Sequence, residues 1–506
     1  MLNPGGSTDQ GRLPVIVGVA QLVNRSEDPA GAREPLDLMI DVARAAEEDA
    51  QAKGLLERAD SVQVVNTISW AYRDSPGLLA EAIGAQPREK VYTAVGGNTP
   101  QWLVSRTAAA IVRGDVRLAV IAGGEAMRSR ARWREAIQQR WRRWAPPQQM
   151  LGDTRAGVND IEVKHGAHIP ARIYPLFETA IRAHRRRSIG EHQRRLGELC
   201  ARLSQAAADN PYAWFPQART AEEITTVTPE NRMICFPYPK FMNAIMEVDQ
   251  ASAVIMTSVA AAQEMGIPRD RWVYLWGCAD AVDIWYFSDR PNLHASLALT
   301  LAGRRALEMA RVTIDEIDWF DLYSCFPCAV ELACDALGID EDDPRPLTVT
   351  GGLPYFGGPG NNYSMHAIAA MVERLRREPQ RKGLVSAMGW YATKHSLGLY
   401  SGAPPEHEWR RLDSAADQVE LDDAPHPTLV EADGRGTVEG YSVGFDRAGE
   451  PEAAIVVGRL EEGSRFIANT EGDREMLRWM TETEMVGRQA VVRQDSEKGK
   501  GLVNIE

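Results

Sequence analysis

The amino-acid sequence predicts an α/β protein that carries a helical insertion and ends in a small all-β barrel. Two stretches of the chain alternate short apolar runs with amphipathic segments, and the two series agree in the order and size of their elements. Between them lies a stretch rich in Arg, Trp, Gln and Pro, at about 128–241. Alternating strands and helices favour a parallel sheet covered on both faces, so each series is expected to form a βαβαβ half.

The first half is expected over residues 13–127. Its short apolar runs are bounded by polar or glycine-rich turns, which is typical of buried strands, and its longer segments have the apolar spacing of helices. The predicted strands cover 15–20, 62–65, 91–95 and 118–124, and the predicted helices cover 36–50 and 101–112.

The second half is expected over residues 242–403, and no sequence identity with the first half is obvious. The case for two similar halves therefore depends on the pattern of elements. The predicted strands cover 272–275, 317–322, 347–350 and 384–388, and the predicted helices cover 295–309, 329–337 and 363–376.

The insertion at 128–241 and the C-terminal segment at 428–506 differ from the two halves in composition and in the pattern of their predicted elements. The insertion contains a helical stretch at 191–208, and an acidic, proline-containing linker follows Gly402. Five short strands and one helix then fit a small closed barrel of the OB type. The predicted strands are 436–445, 454–460, 464–470, 488–493 and 502–505, with the helix at 475–481.

Composition excludes several classes of function. The formal net charge of -13 argues against a general affinity for nucleic acid. No run of about 18 apolar residues predicts a membrane span, and the polar N-terminus lacks a signal sequence, so a cytoplasmic location is expected. Cys325 and Cys328 form a lone C-x-x-C without a second ligand pair, so no metal site is expected.

Clustered arginines between residues 128 and 143 offer a candidate anion site. Arg132 and Arg140 belong to this cluster and are candidates for binding a phosphorylated small molecule. A solvated helical face is the alternative interpretation of the same pattern.

Four short motifs occur in a fixed order along the two halves. They are A-G-G-E-A-M at 122–127, D-L-Y-S-C-F at 321–326, G-G-L with G-G-P between 351 and 359, and K-H-S-L-G-L at 394–399. This ordered set resembles the thiolase superfamily, and in particular its sterol-carrier-type group. The resemblance implies the five-layered thiolase fold with the insertion as its loop domain.

The C-terminal segment resembles the OB-type domain of acyl-CoA-associated proteins that partner thiolase-fold enzymes. The whole layout is similar to thiolase-like proteins with an extra C-terminal domain, which are often named acetyl-CoA acetyltransferases. The resemblance implies an acyltransferase ancestry and a ligand from lipid metabolism.

Three substitutions separate this chain from the thiolase pattern. Gly97 stands at the position of the nucleophilic cysteine, Gly358 at the histidine of G-H-P, and Tyr323 at the histidine of H-D-C-F. Thioester attack needs a thiolate, an activating base and an oxyanion hole. We therefore expect no ordinary thiolase activity, and we expect the glycines to widen the floor of the pocket.

Three remaining side chains are candidates for chemistry or binding. Tyr323 offers a phenol as an acid or base, and His395 has an ordinary pKa near neutrality. Asn361 follows a glycine turn and precedes a predicted helix, where backbone N–H groups favour an anion. Packing in the core is the alternative role for each of them.

Three functional hypotheses follow from the residues and the resemblance. The first is non-covalent binding of acyl-CoA or a related thioester without Claisen chemistry and without a covalently bound cofactor. The second is retro-aldolase or other acyl-CoA lyase chemistry with Tyr323 as the acid or base. The third is a non-catalytic carrier or assembly subunit. Whether the chain is a monomer or a homodimer stays open.

Overall fold

A computed structural model describes residues 10–412, 415–471 and 473–506 of the chain. The first half contains the four predicted strands, the two predicted helices and a third helix, α2, that the sequence analysis did not predict. In chain order they are β1 (Pro14–Val23), α1 (Pro35–Asp49), β2 (Ser61–Val64), α2 (Ser75–Ala82), β3 (Glu89–Tyr92), α3 (Thr99–Arg113) and β4 (Leu118–Ala126).

The insertion is mainly helical and ends in a two-stranded hairpin. Its elements are α4 (Met127–Gln138), α5 (Asp160–Lys164), α6 (Pro170–His184), α7 (Ile189–Ala208), α8 (Ala221–Thr225), β5 (Met233–Phe236) and β6 (Tyr238–Pro239). The chain then returns to the first half through β7 (Asp249–Ser258) and α9 (Val259–Glu264).

The second half and the C-terminal segment follow. The second half contains β8 (Val273–Val282), α10 (Leu297–Ala310), β9 (Trp319–Asp321), α11 (Pro327–Leu337), α12 (Tyr363–Arg377), β10 (Lys382–Gly389) and β11 (Lys394–Ser401). After α13 (Ala415–Asp422) come β12 (Gly434–Phe445), β13 (Pro451–Leu460), β14 (Arg465–Asn469), α14 (Arg474–Glu482), β15 (Gln489–Asp495) and β16 (Lys500–Ile505).

The two halves have related sheet topologies, and the first half has one strand more than the second. The first half has the strand order β3-β2-β4-β7-β1, and the second half has β8-β11-β10-β9. Strand β7 is antiparallel to both of its neighbours, and β11 is antiparallel to both of its own. The expectation of wholly parallel sheets was therefore wrong, because the sequence pattern did not reveal the last strand of either half.

The strand predicted at 347–350 is also absent, and a buried carboxylate explains the difference. Residues 347–350 form no strand, and the Asp321 carboxylate accepts hydrogen bonds from the backbone N–H groups of Val349 and Thr350 at 3.0 and 3.1 Å. The Thr348 hydroxyl donates to the same carboxylate at 2.9 Å. These bonds replace the ladder bonds of a strand and hold the segment beside β9.

Five layers result when the two halves pack together. Helices α3 and α12 lie between the sheets and contact strands of both halves, while α1 covers the outer face of the first sheet and α10 that of the second. Strands β1 and β8 pair at Val15–Tyr274 and Ile16–Val273, which joins the sheets at one edge. The thiolase-like α/β fold expected from the motifs is confirmed.

Helix α3 is placed by its two ends. Pro100 lies in its first turn, where a missing N–H is tolerated, and Gly114 ends it in the left-handed conformation at φ 83°. Asn98 separates Gly97 from the first residue of the helix, so the loop that carries position 97 leads directly into its N-terminus.

The C-terminal segment forms a closed five-stranded barrel, as the sequence predicts. Its strand order is β13-β14-β16-β15-β12, and pairing of β12 with β13 closes the barrel. The barrel sheet also continues into the insertion, because β12 pairs with β5 at Val443–Phe236 and Gly444–Cys235. The insertion and the barrel therefore share one sheet.

None of the helices in the described ranges has the length and apolar character needed to span a bilayer.

Candidate functional site

A cavity of about 770 Å³ lies where the two halves meet the insertion. Its floor is formed by Gly97 before α3, Tyr323 after β9, and Gly358 and Asn361 before α12. These positions follow strands or precede helices, where side chains of α/β proteins commonly converge on a ligand. Four of the residues singled out from the sequence therefore line one cavity.

Tyr323 occupies the space that a side chain at position 97 would need. A Cβ atom built on Gly97 would overlap the Tyr323 hydroxyl oxygen and would lie 2.6 Å from the Met388 carbonyl oxygen. Real Cβ atoms essentially never come that close to other heavy atoms. A cysteine at position 97 does not fit unless Tyr323 moves, so the widened floor expected at Gly97 is filled by the phenol ring.

Tyr323 is held in place from its backbone and its ring. Its N–H donates to the Ser386 hydroxyl at 2.9 Å, and its ring meets the Tyr363 ring edge-on, with 5.6 Å between the ring centroids. Its hydroxyl forms no hydrogen bond with any residue that the structure describes. Burial raises the pKa of Tyr323, and the Cys325 thiol adds to the effect. The phenol is therefore neutral at pH 7 and can donate a proton into the cavity.

The loop at Gly96 and Gly97 is fixed by side chains from the second half. The Asn361 amide oxygen accepts from the Gly96 N–H at 2.9 Å, and the Ser364 hydroxyl donates to the Gly97 carbonyl at 2.8 Å. The Asn361 amide nitrogen donates to the Asn66 carbonyl at 2.9 Å. Asn361 thus joins the two halves at the cavity floor, and its polar atoms already have protein partners.

Gly358 leaves room that Gly97 does not. A Cβ atom at position 358 would lie 3.4 Å from the Ile245 carbonyl oxygen and 3.4 Å from a Leu353 methyl group, and these are ordinary contacts. The side chain missing at position 358 therefore enlarges the cavity, as expected from the sequence.

His395 lies outside the cavity lining. Its ring Nε2 is 3.0 Å from the Ala392 carbonyl and 3.3 Å from the Ser296 hydroxyl, which caps helix α10. Burial lowers its pKa to about 4. Strand β11 directs this ring toward the start of α10, so the structure places His395 in a packed polar network of the second half.

Arg132 and Arg140 also lie away from the cavity lining. Arg132 forms an ion pair with Glu27 at 3.3 Å, and Arg140 donates to the carbonyl groups of Pro29 and Ala30. Both side chains are exposed, and they hold helix α4 against the segment that precedes α1. This arrangement agrees with the solvated helical face that the sequence also allowed.

Cys325 is a lining residue that the sequence analysis considered only as part of a lone C-x-x-C. Burial raises the pKa of its thiol to about 12, so the thiolate is scarce at neutral pH. Its place in the D-L-Y-S-C-F motif, two residues after Tyr323, was the signal that could have marked it.

Lys394 lies directly beneath the cavity floor. Its Nζ donates to the Val95 carbonyl at 2.5 Å, and burial lowers its pKa to about 8. The residue was quoted only as part of a motif, and its neighbouring polar residues gave no sign of burial.

One group of possible metal ligands occurs among the described residues, at Glu178, His192 and Glu331. The His192 ring nitrogen Nε2 is 2.6 Å from Glu178, and the Arg185 guanidinium donates to Glu331. The other ring nitrogen of His192 has no partner, whereas histidines that bind metals usually donate that N–H. Burial raises the pKa of both carboxyls, which favours a hydrogen-bonded cluster that retains a proton.

Comparison with known proteins agrees with this geometry. A family model described as "Thiolase-like protein type 1 additional C-terminal domain" matches residues 418–497. The crystal structure of a monomeric SCP2-thiolase-like protein type 1 from Mycobacterium smegmatis is 35% identical, with a TM-score of 0.84, and covers 98% of this chain and 99% of that one.

More distant proteins share the fold. The Ltp2–ChsH2(DUF35) aldolase has a TM-score of 0.60 and a sequence identity of 18%. Acetyl-CoA acetyltransferase from Syntrophomonas wolfei has a TM-score of 0.54 and a sequence identity of 16%. Each match covers 78% of this chain and 99% of the other chain. Acetyl-CoA acetyltransferase from Methanothermobacter thermautotrophicus is 27% identical over 220 residues, which are 40% of this chain and 55% of that protein. The chain thus spans about half of the length of this curated relative.

The sequence motifs, the paired five-layered halves, the fused barrel and the full-length match together show that the chain belongs to the thiolase-like proteins of type 1, which carry an additional C-terminal domain.

Proposed function

We propose that the cavity binds acyl-CoA or a related thioester without covalent attachment to the chain. The observation that carries the proposal is the Tyr323 hydroxyl, which occupies the space of a side chain at position 97. A thiolase nucleophile there would need both the room and a base to activate it, and glycine supplies neither.

The shape of the cavity supports a ligand with an apolar acyl part. Its volume of about 770 Å³ lies within the range of small-molecule sites, about 300–1,000 Å³. Phe326, Leu353 and Met388 contribute apolar lining beside the Tyr323 hydroxyl. The neutral phenol can donate a hydrogen bond to a thioester carbonyl, which orients the ligand without forming a covalent bond.

Calorimetric titration of the full chain with CoA and with acyl-CoAs of increasing length tests this proposal. We expect heat of binding for at least one acyl-CoA, with affinity rising as the acyl chain fills the space beside Gly358. The absence of heat with every member of the series would refute the proposal.

Retro-aldol cleavage of a 3-hydroxyacyl-CoA is a second candidate function, favoured by the unpartnered Tyr323 hydroxyl in the cavity. In such a reaction the 3-hydroxyl passes its proton to a water molecule, the Cα–Cβ bond breaks, and the electron pair passes to the thioester enolate, which takes up a proton at Cα. A neutral Tyr323 suits the last step as the proton donor.

Release of an aldehyde or ketone from a panel of 3-hydroxyacyl-CoAs tests the second candidate. If cleavage occurs, Tyr323→Phe should lower kcat by about 10²–10⁴-fold, the usual contribution of a general acid or base. Cleavage at an unchanged rate in Tyr323→Phe would exclude this role of the phenol.

A further inference from the structure

Three cations line the cavity where the insertion meets the barrel. Arg232 immediately precedes β5, Lys240 follows β6, and Arg447 lies in the turn between β12 and β13. All three are among the residues that line the cavity. Two of them come from the insertion, and the third comes from the C-terminal barrel.

Strand pairing brings these residues together. The Lys240 N–H donates to the Arg232 carbonyl at 2.9 Å. Strand β5 is antiparallel to β12 through Val443–Phe236 and Gly444–Cys235. Continuing the same register past the last bonded pair leads from β5 toward Arg232 and from β12 toward Arg447. The three cations therefore form a row across adjoining segments of one sheet.

The row has no matching carboxylates. Within the described ranges, none of the three cations forms an ion pair, and the Arg232 side chain only donates to the Met233 carbonyl at 3.3 Å. By contrast, the neighbouring Arg172 pairs with Glu452 at 2.9 Å. Like charges at neighbouring positions repel each other unless a counter-charge is present. Glu230 is the single acidic residue of the cavity lining, so the rim keeps an excess of positive charge.

From this arrangement we infer that Arg232, Lys240 and Arg447 form a phosphate subsite, through which the fused barrel takes part in ligand recognition. The inference rests on the proposed binding function and assigns one end of the ligand. A multiply charged phosphate or diphosphate group balances three cations, whereas a single carboxylate would leave two unmatched. The rest of the ligand then extends over the apolar lining toward Gly97 and Gly358.

Calorimetry with three probes tests the subsite on the full chain. CoA carries the phosphorylated adenosine and the thiol arm, adenosine 3′,5′-bisphosphate carries the phosphorylated adenosine without the arm, and pantetheine carries the arm alone. Arg447→Gln and Arg232→Gln should each weaken binding of CoA and of the bisphosphate about tenfold, the effect of losing one charged hydrogen bond. Binding of pantetheine should not change.

Arg493→Gln is the matched control, because it removes one exposed positive charge from the barrel at a position outside the cavity lining. Its affinities should equal those of the parent chain. Unchanged CoA affinity in both Arg447→Gln and Arg232→Gln would overturn the subsite and leave the proposed function intact. Bisphosphate binding that depends on Arg447, without any binding of acyl-CoA, would support the subsite and overturn the proposed function. Binding of neither the three probes nor any acyl-CoA would overturn both.

Discussion

The tyrosine at position 323 fits only because residue 97 is a glycine. Gly97 leaves no space unfilled, because the Tyr323 hydroxyl and the Met388 carbonyl take up the volume of its missing Cβ. Gly358 occupies a comparable place in the second half, yet its missing Cβ faces ordinary contact distances. Adding a methyl group should therefore lower the free energy of unfolding more at position 97 than at position 358.

Gly97→Ala should destabilise the chain by about 1–3 kcal/mol, the usual cost of overpacking a filled core. Gly358→Ala is the matched control and should change the free energy of unfolding by less than about 1 kcal/mol, because its Cβ finds room. Urea unfolding followed by circular dichroism measures both variants. Equal stability of the two would show that Tyr323 does not fill the space at position 97.

His395 should make the fold sensitive to acid. Its folded pKa of about 4 lies below the value of about 6.5 expected in the unfolded chain. As the pH falls from about 6.5 to about 4, the unfolded chain binds a proton that the folded chain excludes, so stability is lost in this window. His395→Gln should reduce the slope of unfolding free energy against pH by up to about one proton in this window.

Urea unfolding at pH 7, 5.5 and 4.5 provides the measurement, and the slope is compared with that of the parent chain. His192 and His366 titrate in both proteins, since burial lowers their pKa values to about 4 and about 3. They therefore leave a residual slope that cancels in the comparison. An identical slope in the variant would contradict a neutral, buried His395.

Residue types at motif positions predicted a part of the site. Gly97, Gly358, Tyr323 and Asn361 could be selected from the sequence because they depart from, or follow, short ordered motifs, and the structure brings them to one cavity. His395, Arg132 and Arg140 could not be placed, because a side chain's direction depends on strand register and helix docking. The rim residue Arg447 carries no motif, and only the pairing of β12 with β5 reveals its position.

At the scale of elements, the strands missed by the sequence pattern have polar residues in buried positions. Strand β11 begins with Lys394, His395 and Ser396, all buried, and β7 begins with buried Asp249 and Gln250. The Asp249 carboxylate, for example, accepts hydrogen bonds from the Ser129 hydroxyl and N–H. An analysis of apolar spacing assigns polar residues to the surface. It could therefore predict β1, β4 and β10, which are mainly apolar, but not β7 and β11.

The predicted strand at 347–350 is the converse case. Its residue types favour a strand, but the Asp321 carboxylate accepts hydrogen bonds from backbone N–H groups that a strand would use in a ladder. Asp321→Ala should destabilise the chain by about 2–5 kcal/mol, since it leaves several buried donors without a partner. Asp318→Ala is a control at a partly exposed position directly before the same strand and should cost less. Thermal unfolding compares the two, and equal losses would contradict the role assigned to Asp321.

At the scale of the whole molecule, the barrel is integrated with the insertion. The guanidinium of Arg182 in α6 is buried and donates to Glu484, at 2.9 Å, and to the Tyr441 hydroxyl of β12. The Thr179 hydroxyl of the same helix bonds to the backbone of Tyr441. The domain limits 128–241 and 428–506 stay predictions, and the shared sheet indicates that the two segments act as one unit.

The edge of the first sheet is partly covered by the chain itself. Strand β3 is the outermost strand, and the Leu151 N–H donates to the Tyr92 carbonyl at 2.7 Å while the Leu151 carbonyl accepts from the Ala94 N–H at 2.8 Å. A covered or charged edge resists pairing with a second sheet. We therefore expect a monomer in solution.

Sedimentation velocity measures the oligomeric state. The parent chain should sediment as a monomer at micromolar concentration, and Leu151→Pro, which removes the covering N–H donor, should increase self-association. A dimer of the parent chain that persists on dilution would contradict this account of the β3 edge.

The central claim is that a thioester binds in the cavity while no side chain attacks it. One sample of the full chain, saturated with the acyl-CoA that gives the largest heat of binding, should be divided for calorimetry and for intact mass spectrometry under denaturing conditions. The account predicts stoichiometric binding and a mass equal to that of the unmodified chain. A chain that carries the acyl group, with the adduct on a cavity residue such as Cys325, would contradict it.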